Sequence, residues 1–288
     1  MLGPHADPTD PGLPWVAMAI STRTRRRQWL VAMAAILGLA LSGCAGQVPQ
    51  PPDSVGTPLD QQVPDRIATL PLVTSAGTPV DLADFRGKVL VISDMMTLCQ
   101  ETCPLDTANI VATAQRVEKA GLGDRVEFLS ITIDPTRDDA AHLAAYRRLF
   151  APAPADWEVI GGSAASLQKL WRYFGLYQQR VAEDSPPATD WLTGKTLGYD
   201  IDHADLVYFF GTRGAERYTV DGTAHVSSAS RLPATLRRFL SDDGRQNLAH
   251  PGFGSWTVGQ ALEVIGWLTD TWIPGAAAPT ASSSPVVG

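Results

Sequence analysis

The chain reads as a single α/β domain built on a mixed sheet with flanking helices. Three observations predict it. Short apolar runs such as Val89-Leu90-Val91-Ile92 and Val126 to Ile133 suit strands buried on both faces. Helical segments stand between these runs, so strands and helices alternate along the chain. Near the end, Leu206-Val207-Tyr208-Phe209-Phe210 turns at Arg213-Gly214 into a partner near Tyr218, and that hairpin makes the sheet mixed.

With 288 residues, 44% of them hydrophobic and 18% charged, the chain suits one good-sized domain plus extra segments. The formal charge is −7. Residues 1–43 hold four arginines against two acids, so the remainder is more acidic still. Nucleic-acid binding rests on Lys and Arg neutralising phosphates, which excludes that class of partner here.

The elements follow in order. Arg23-Thr24-Arg25-Arg26-Arg27 is a positive stretch before the thirteen-residue apolar run Trp29 to Leu41. The run is short for a bilayer span and suits a signal peptide. It ends in Leu41-Ser42-Gly43-Cys44, a match to the bacterial lipobox, where the Cys is lipidated and becomes the new N-terminus. Residues 1–43 are therefore read as a signal peptide, with translation starting at Met1 or Met18. Residues 44–65 read as a Pro-rich tether expected to stay extended and unpacked. The expected location is the cell membrane, lipid-anchored and facing its extracytoplasmic side.

Residues 66–245 carry the domain. Val73 to Val80 is a hairpin around Gly77, and Asp84 to Lys88 a polar turn into the first buried strand. A helix runs through Thr107 to Val117. After the second buried strand and its Asp134-Pro135 come a helix His142 to Phe150 and the short strand Trp157 to Ile160. Ser163 caps a helix with Leu167, Leu170, Trp171 and Phe174 on one face. Glu183 to Lys195, polar and Pro-containing, reads as a surface insertion, and the helix Leu232 to Leu240 closes the unit. Residues 246–288 form an extension. Within it Trp256 to Ile273 is an amphipathic helix, packed on the domain or lying at the membrane surface, before a low-complexity tail.

The chemistry concentrates between the first buried strand and its helix, in Thr97-Leu98-Cys99-Gln100-Glu101-Thr102-Cys103-Pro104. A Cys motif at that point is the thioredoxin-like arrangement. If Cys99 opens the helix, Cys103 sits one turn on along the same face. Free amides and the dipole at a helix start favour thiolate. Two such thiolates can chelate a soft metal such as Cu(I) or join as a disulfide. A purely structural disulfide would close a five-residue loop and contribute little stability. Met95 and Met96, the methionines left once the signal is removed, precede the motif. One is read as core filling, though a thioether is also a soft ligand. Among the histidines, His203 stands in Asp202-His203 directly before the strand Leu206 to Phe210, which neighbours the first strand in such a sheet.

Three ordered matches make the resemblance specific. They are Thr97-x-Cys99-x-x-x-Cys103-Pro104, then Asp134-Pro135-x-Arg137-Asp138, then Asp202-His203. Over Leu70 to Ser241 the chain resembles the Sco/SenC family of copper chaperones. That resemblance implies Cys99, Cys103 and His203 as ligands for copper, as Cu(I) and Cu(II), with Asp134 shaping a turn or standing behind the ligands rather than binding the metal itself. It implies a role in assembling the binuclear copper site of cytochrome c oxidase. The copper-bearing oxidase subunit is then the partner, with a thiol reductant or another copper chaperone as a further one. The chain departs from the family in Ser93-Asp94-Met95-Met96, where members usually carry aromatic residues, and in the extension from Asn247. The alternative is an extracytoplasmic thiol–disulfide oxidoreductase, or a peroxidase of this fold, working through Cys99 and Cys103, so whether the protein is an enzyme stays open. A scaffold lipoprotein with an inert disulfide is the third reading.

Overall fold

Two strands that bury every residue set the centre of the fold: β4 (Val89–Met95) and β5 (Val126–Thr132). A computed structural model of the chain describes residues 47–228, 231–252 and 254–277. The signal segment, the lipobox with Cys44 and the tail beyond residue 277 lie outside the described residues. β5 runs parallel to β4 and to β6 (Trp157–Gly162). The crossovers between them are α2 (Cys103–Lys119) and α3 (Ala140–Leu149). Parallel strands need such long connections, and each helix brings an apolar stripe to cover the sheet. β2 (Leu72–Thr74) and β3 (Pro79–Val80) form the hairpin expected around Gly77, whose φ of +86° suits glycine alone in a tight turn.

On the other side of β4 lies antiparallel β9 (Leu206–Phe210), followed by β10 (Ala215–Asp221). The sheet among the described residues thus has eight strands, with β1 (Thr57–Gln62) as its outer edge beside β10. The segment expected as an unpacked tether is therefore packed over its described part. Thr57–Gln62 pairs in the sheet, α1 (Asp65–Ala68) follows, Pro51 is buried, and the Tyr218 hydroxyl donates to the Pro52 carbonyl at 2.7 Å. Polar residues in β1 hid the strand, because an edge strand exposes most of its side chains and shows no apolar pattern.

α4 (Ala164–Tyr173) starts at Ser163, whose hydroxyl accepts from the Ser166 N–H as its sequence position predicts. Its Trp171 packs with Phe174 and Tyr208. A second sheet of two strands, β7 (Gln178–Val181) and β8 (Asp200–His203), stands apart from the first. α5 (Ala234–Phe239) and α6 (Asp242–Ala249) follow β10. In the C-terminal extension α7 (Val258–Thr269) packs against α2 and β4, with Ala261, Leu262, Val264 and Ile265 buried. Of the two placements expected for that helix, the structure shows the packed one.

Candidate metal centre

Strand β4 delivers the chain to a turn at 96–102, and α2 begins at Cys103 rather than at Cys99 as the spacing suggests. Cys99 instead lies in the turn, with its own N–H on the Met96 carbonyl at 3.3 Å. No side chain of Thr102 caps the helix. The Cys99 sulfur takes that place, accepting from the Cys103 N–H at 3.4 Å. Pro104 in the first turn needs no acceptor, so the helix start leaves few amides unsatisfied. The amide and dipole reasoning survives with the roles shifted: the helix N-terminus acts on the sulfur in front of it.

His203 arrives from the other side of the sheet. It ends β8 two residues before β9, and β9 borders β4, so the ring meets the turn at the sheet end. Its Nε2 lies 3.4 Å from Cys103 Sγ. The Cys99 sulfur, the Cys103 sulfur and an imidazole nitrogen all lie within 4.8 Å of one another, a grouping able to hold a metal ion. Both cysteines are free thiols. His225 and His250 are exposed, and His142 is buried elsewhere between Asp139 and Asp190 at 3.0 Å each.

The electrostatics separate the two thiols. The hydrogen bond from Cys103 holds the Cys99 sulfur well below the ordinary thiol value of 9.0, and His203 acts in the same sense against burial. Burial pushes the Cys103 thiol up, and the neighbouring Cys99 reinforces it. Burial disfavours charge on His203, yet Asp94 and Cys99 beside the ring outweigh it and lift the ring well above its ordinary value. The pocket thus biases Cys99 toward thiolate, Cys103 toward thiol and His203 toward its charged form.

The turn itself is clamped by residues that sequence reasoning gave no role. Asp138 accepts the Thr97 N–H at 3.1 Å and the hydroxyls of Thr97 and Thr132. Thr97 thus spends its hydroxyl on Asp138. Trp191 donates Nε1 to the Thr97 carbonyl at 2.7 Å, and Asp190 beside it is held by His142. The expected surface insertion is thereby pinned to the site, though most of it is exposed. From α6, the Ser241 N–H reaches the Gln100 carbonyl at 2.9 Å, and a Cβ on Gly244 would stand 2.1 Å from that same oxygen. Asp134 stands outside the grouping of Cys99, Cys103 and His203. It accepts from Arg137 and from the Tyr199 hydroxyl at 2.9 Å, and its carbonyl shapes the turn. Met95 fills the core, while Met96 lines the cavity over Cys99.

That cavity, about 270 Å³, is bordered by Glu101, Glu183, Asp184, Asp200, Asp202 and Asp205, and no Lys or Arg among the described residues lines it. Burial first and then the negative charge of Cys99 and the neighbouring carboxylates raise Glu101 to about 7. Asp200 and Asp205 are raised to about 6, chiefly by burial. A rim of this sign favours cations over anions.

A sequence model described as SCO1/SenC matches residues 61–240, more than half of the chain. The mouse mitochondrial SCO2 homolog is 25% identical over 172 residues, 59% of this chain and 60% of that protein. Protein sco1 of Schizosaccharomyces pombe is 27% identical over 145 residues, 50% of each. The chain thus spans about half to three fifths of the length of these curated relatives. Among solved structures, a SCO1/SenC family lipoprotein from Bacillus anthracis aligns with a TM-score of 0.46 at 23% identity, over 64% of this chain and 97% of the other. ScoI of Bradyrhizobium japonicum, solved with copper bound, aligns with a TM-score of 0.43 at 22% identity, over 65% and 99%.

Proposed function

The chain belongs to the SCO1/SenC family, and we propose that it is a copper-binding chaperone serving the binuclear copper site of cytochrome c oxidase. The observation that carries this reading is the convergence of two sulfurs and one imidazole nitrogen within 4.8 Å, from a turn and a strand end 100 residues apart. Soft thiolates suit Cu(I), and an imidazole nitrogen adds the ligand type that Cu(II) favours. Cys99 is poised to bind as thiolate, and Cys103 gives up its proton on binding, so copper displaces one proton or more from the site. The acidic rim draws the cation in. The copper-bearing oxidase subunit is the proposed acceptor, with a thiol reductant or a second copper chaperone acting upstream.

The same residues support a second reading. A Cys99 thiolate beside a protonated Cys103 is the pair that exchanges disulfides. Cys99 attacks a partner disulfide and releases one partner thiolate. Deprotonated Cys103 then displaces the second, leaving a Cys99–Cys103 disulfide and a reduced partner. His203 discriminates the two, because exchange needs only the thiols. Titration of the reduced chain should give one copper per molecule, and little or none after oxidation joins the thiols. His203→Ala should keep a reducible pair while losing stable Cu(II) binding and weakening Cu(I). Normal copper binding by His203→Ala, with oxidase assembly lost only in Cys99→Ser, would favour the redox role.

For location, Cys44 is proposed as the lipid anchor on the extracytoplasmic face of the cell membrane. No helix among the described residues is long and apolar enough to cross a membrane. Cys44→Ala should therefore move the protein out of the membrane fraction or leave it unprocessed. Unchanged attachment with normal processing would refute the anchor.

A further inference from the structure

Asp94 stands on β4, one residue before its end, and is only 4% exposed. A carboxylate so buried is costly unless its oxygens find partners. Its Oδ1 accepts the Leu206 N–H at 2.9 Å, which ties β4 to the point where β9 begins. Its Oδ2 lies 2.9 Å from His203 Nδ1 and makes no aligned hydrogen bond to any group. On that side of the ring stand two further oxygens, the Ala204 carbonyl at 3.0 Å and Asp205 Oδ1 at 3.8 Å. All three accept and none donates, so Nδ1 carries hydrogen and Nε2 is left facing the sulfurs. The Ala204 carbonyl alone suffices to fix that orientation. What Asp94 adds is a negative charge at contact distance from the ring.

We infer that Asp94 is a positioning residue that braces His203 toward the two thiols and biases the site toward Cu(II) over Cu(I). A carboxylate behind a ligating imidazole raises the basicity of that imidazole. Its field is worth more to the doubly charged ion than to the singly charged one, and in a buried site it is weakly screened. The inference rests on the copper reading of Cys99, Cys103 and His203, and adds to it a residue that lies outside the Cys and His motifs.

The test compares full-length reduced protein with Asp94→Asn and Asp94→Ala, titrating Cu(II) alone and Cu(I) alone by competition with chelators. In Asp94→Asn the side-chain oxygen can keep the Leu206 bond, which turns the amide N–H groups against Nδ1–H. In Asp94→Ala only the Ala204 carbonyl remains. Loss of an outer partner of this kind typically costs about 10–100-fold in metal affinity. Both variants should lose that factor for Cu(II) and a clearly smaller one for Cu(I), so the ratio of the two Kd values rises about tenfold. A ratio within about threefold of the unsubstituted protein in both variants overturns the inference, whatever the absolute affinities do. So does loss of the folded circular dichroism spectrum in both, which would assign Asp94 to the fold first. If the unsubstituted chain binds neither ion, the copper reading itself fails and takes this one with it. A failed Asp94 ratio beside normal binding and a dead His203→Ala variant removes only the inference.

Discussion

At the scale of single residues, the centre is two chemically identical thiols made different by place. Cys99 precedes the helix and receives its first N–H, whereas Cys103 is the first helical residue and is almost completely buried at 1% exposure. The consequence is an order of reactivity. Only thiolate is nucleophilic, and Cys99 is held well below 9.0 while burial drives Cys103 above it. At pH 9 Cys103 is already held protonated, whereas Cys99 should stay deprotonated and reactive until the pH drops through its lowered value. Limited iodoacetamide labelling of the reduced chain at neutral pH, read by peptide mass spectrometry, should therefore find Cys99 modified ahead of Cys103. Preferential labelling of Cys103 would contradict the assigned polarity.

At the scale of elements, what was legible in the sequence depended on whether a segment carries its own apolar pattern. β4, β5 and β9 are continuous apolar runs, and Ser163 announces α4, so their types and order were readable. The Cys pair and His203 were readable as chemistry, and the neighbouring of β4 and β9 explained how they meet. The extra hairpin β7–β8 was not, because Gln178–Val181 is exposed throughout and shows no apolar pattern. His203 is consequently the last residue of a strand, braced by that hairpin, rather than part of a free loop. The segment 183–195 reads as a plain surface insertion for a related reason. Its anchors are single side chains, Asp190 on His142 and Trp191 on the Thr97 carbonyl, and isolated long-range pairs leave no periodicity to read. Asp94 and Asp138 share that invisibility: each is a buried acid whose partners, at His203 and Thr97, come from another element.

At the scale of the whole molecule, the fold extends past the stretch that matches the family. The match ends at residue 240, but Ser241 and Gly244 press on the backbone of the Cys turn. Farther on, Trp256 donates Nε1 to Asp106 Oδ1 at 2.8 Å, in the first turn of the helix that Cys103 opens. The same oxygen takes the Ala224 N–H at 2.9 Å, so one buried acid joins α2, the chain after β10 and the extension. Trp256, Leu262, Val264, Ile265 and Ile273 are each no more than 1% exposed. Burying a large apolar side chain contributes about 1.5–3 kcal/mol, so these five together bring roughly 7–15 kcal/mol of gross burial, before the cost of ordering the segment. That gross gain is as large as the net stability of a whole domain, about 5–15 kcal/mol, so the extension is expected to be part of the folding unit. A chain ending at Leu240 should accordingly show no cooperative thermal transition by circular dichroism, and no stoichiometric copper binding, beside a full chain that has both. A transition within a few degrees of the full chain would mean that α7 merely rests on α2, and that the domain is complete without it.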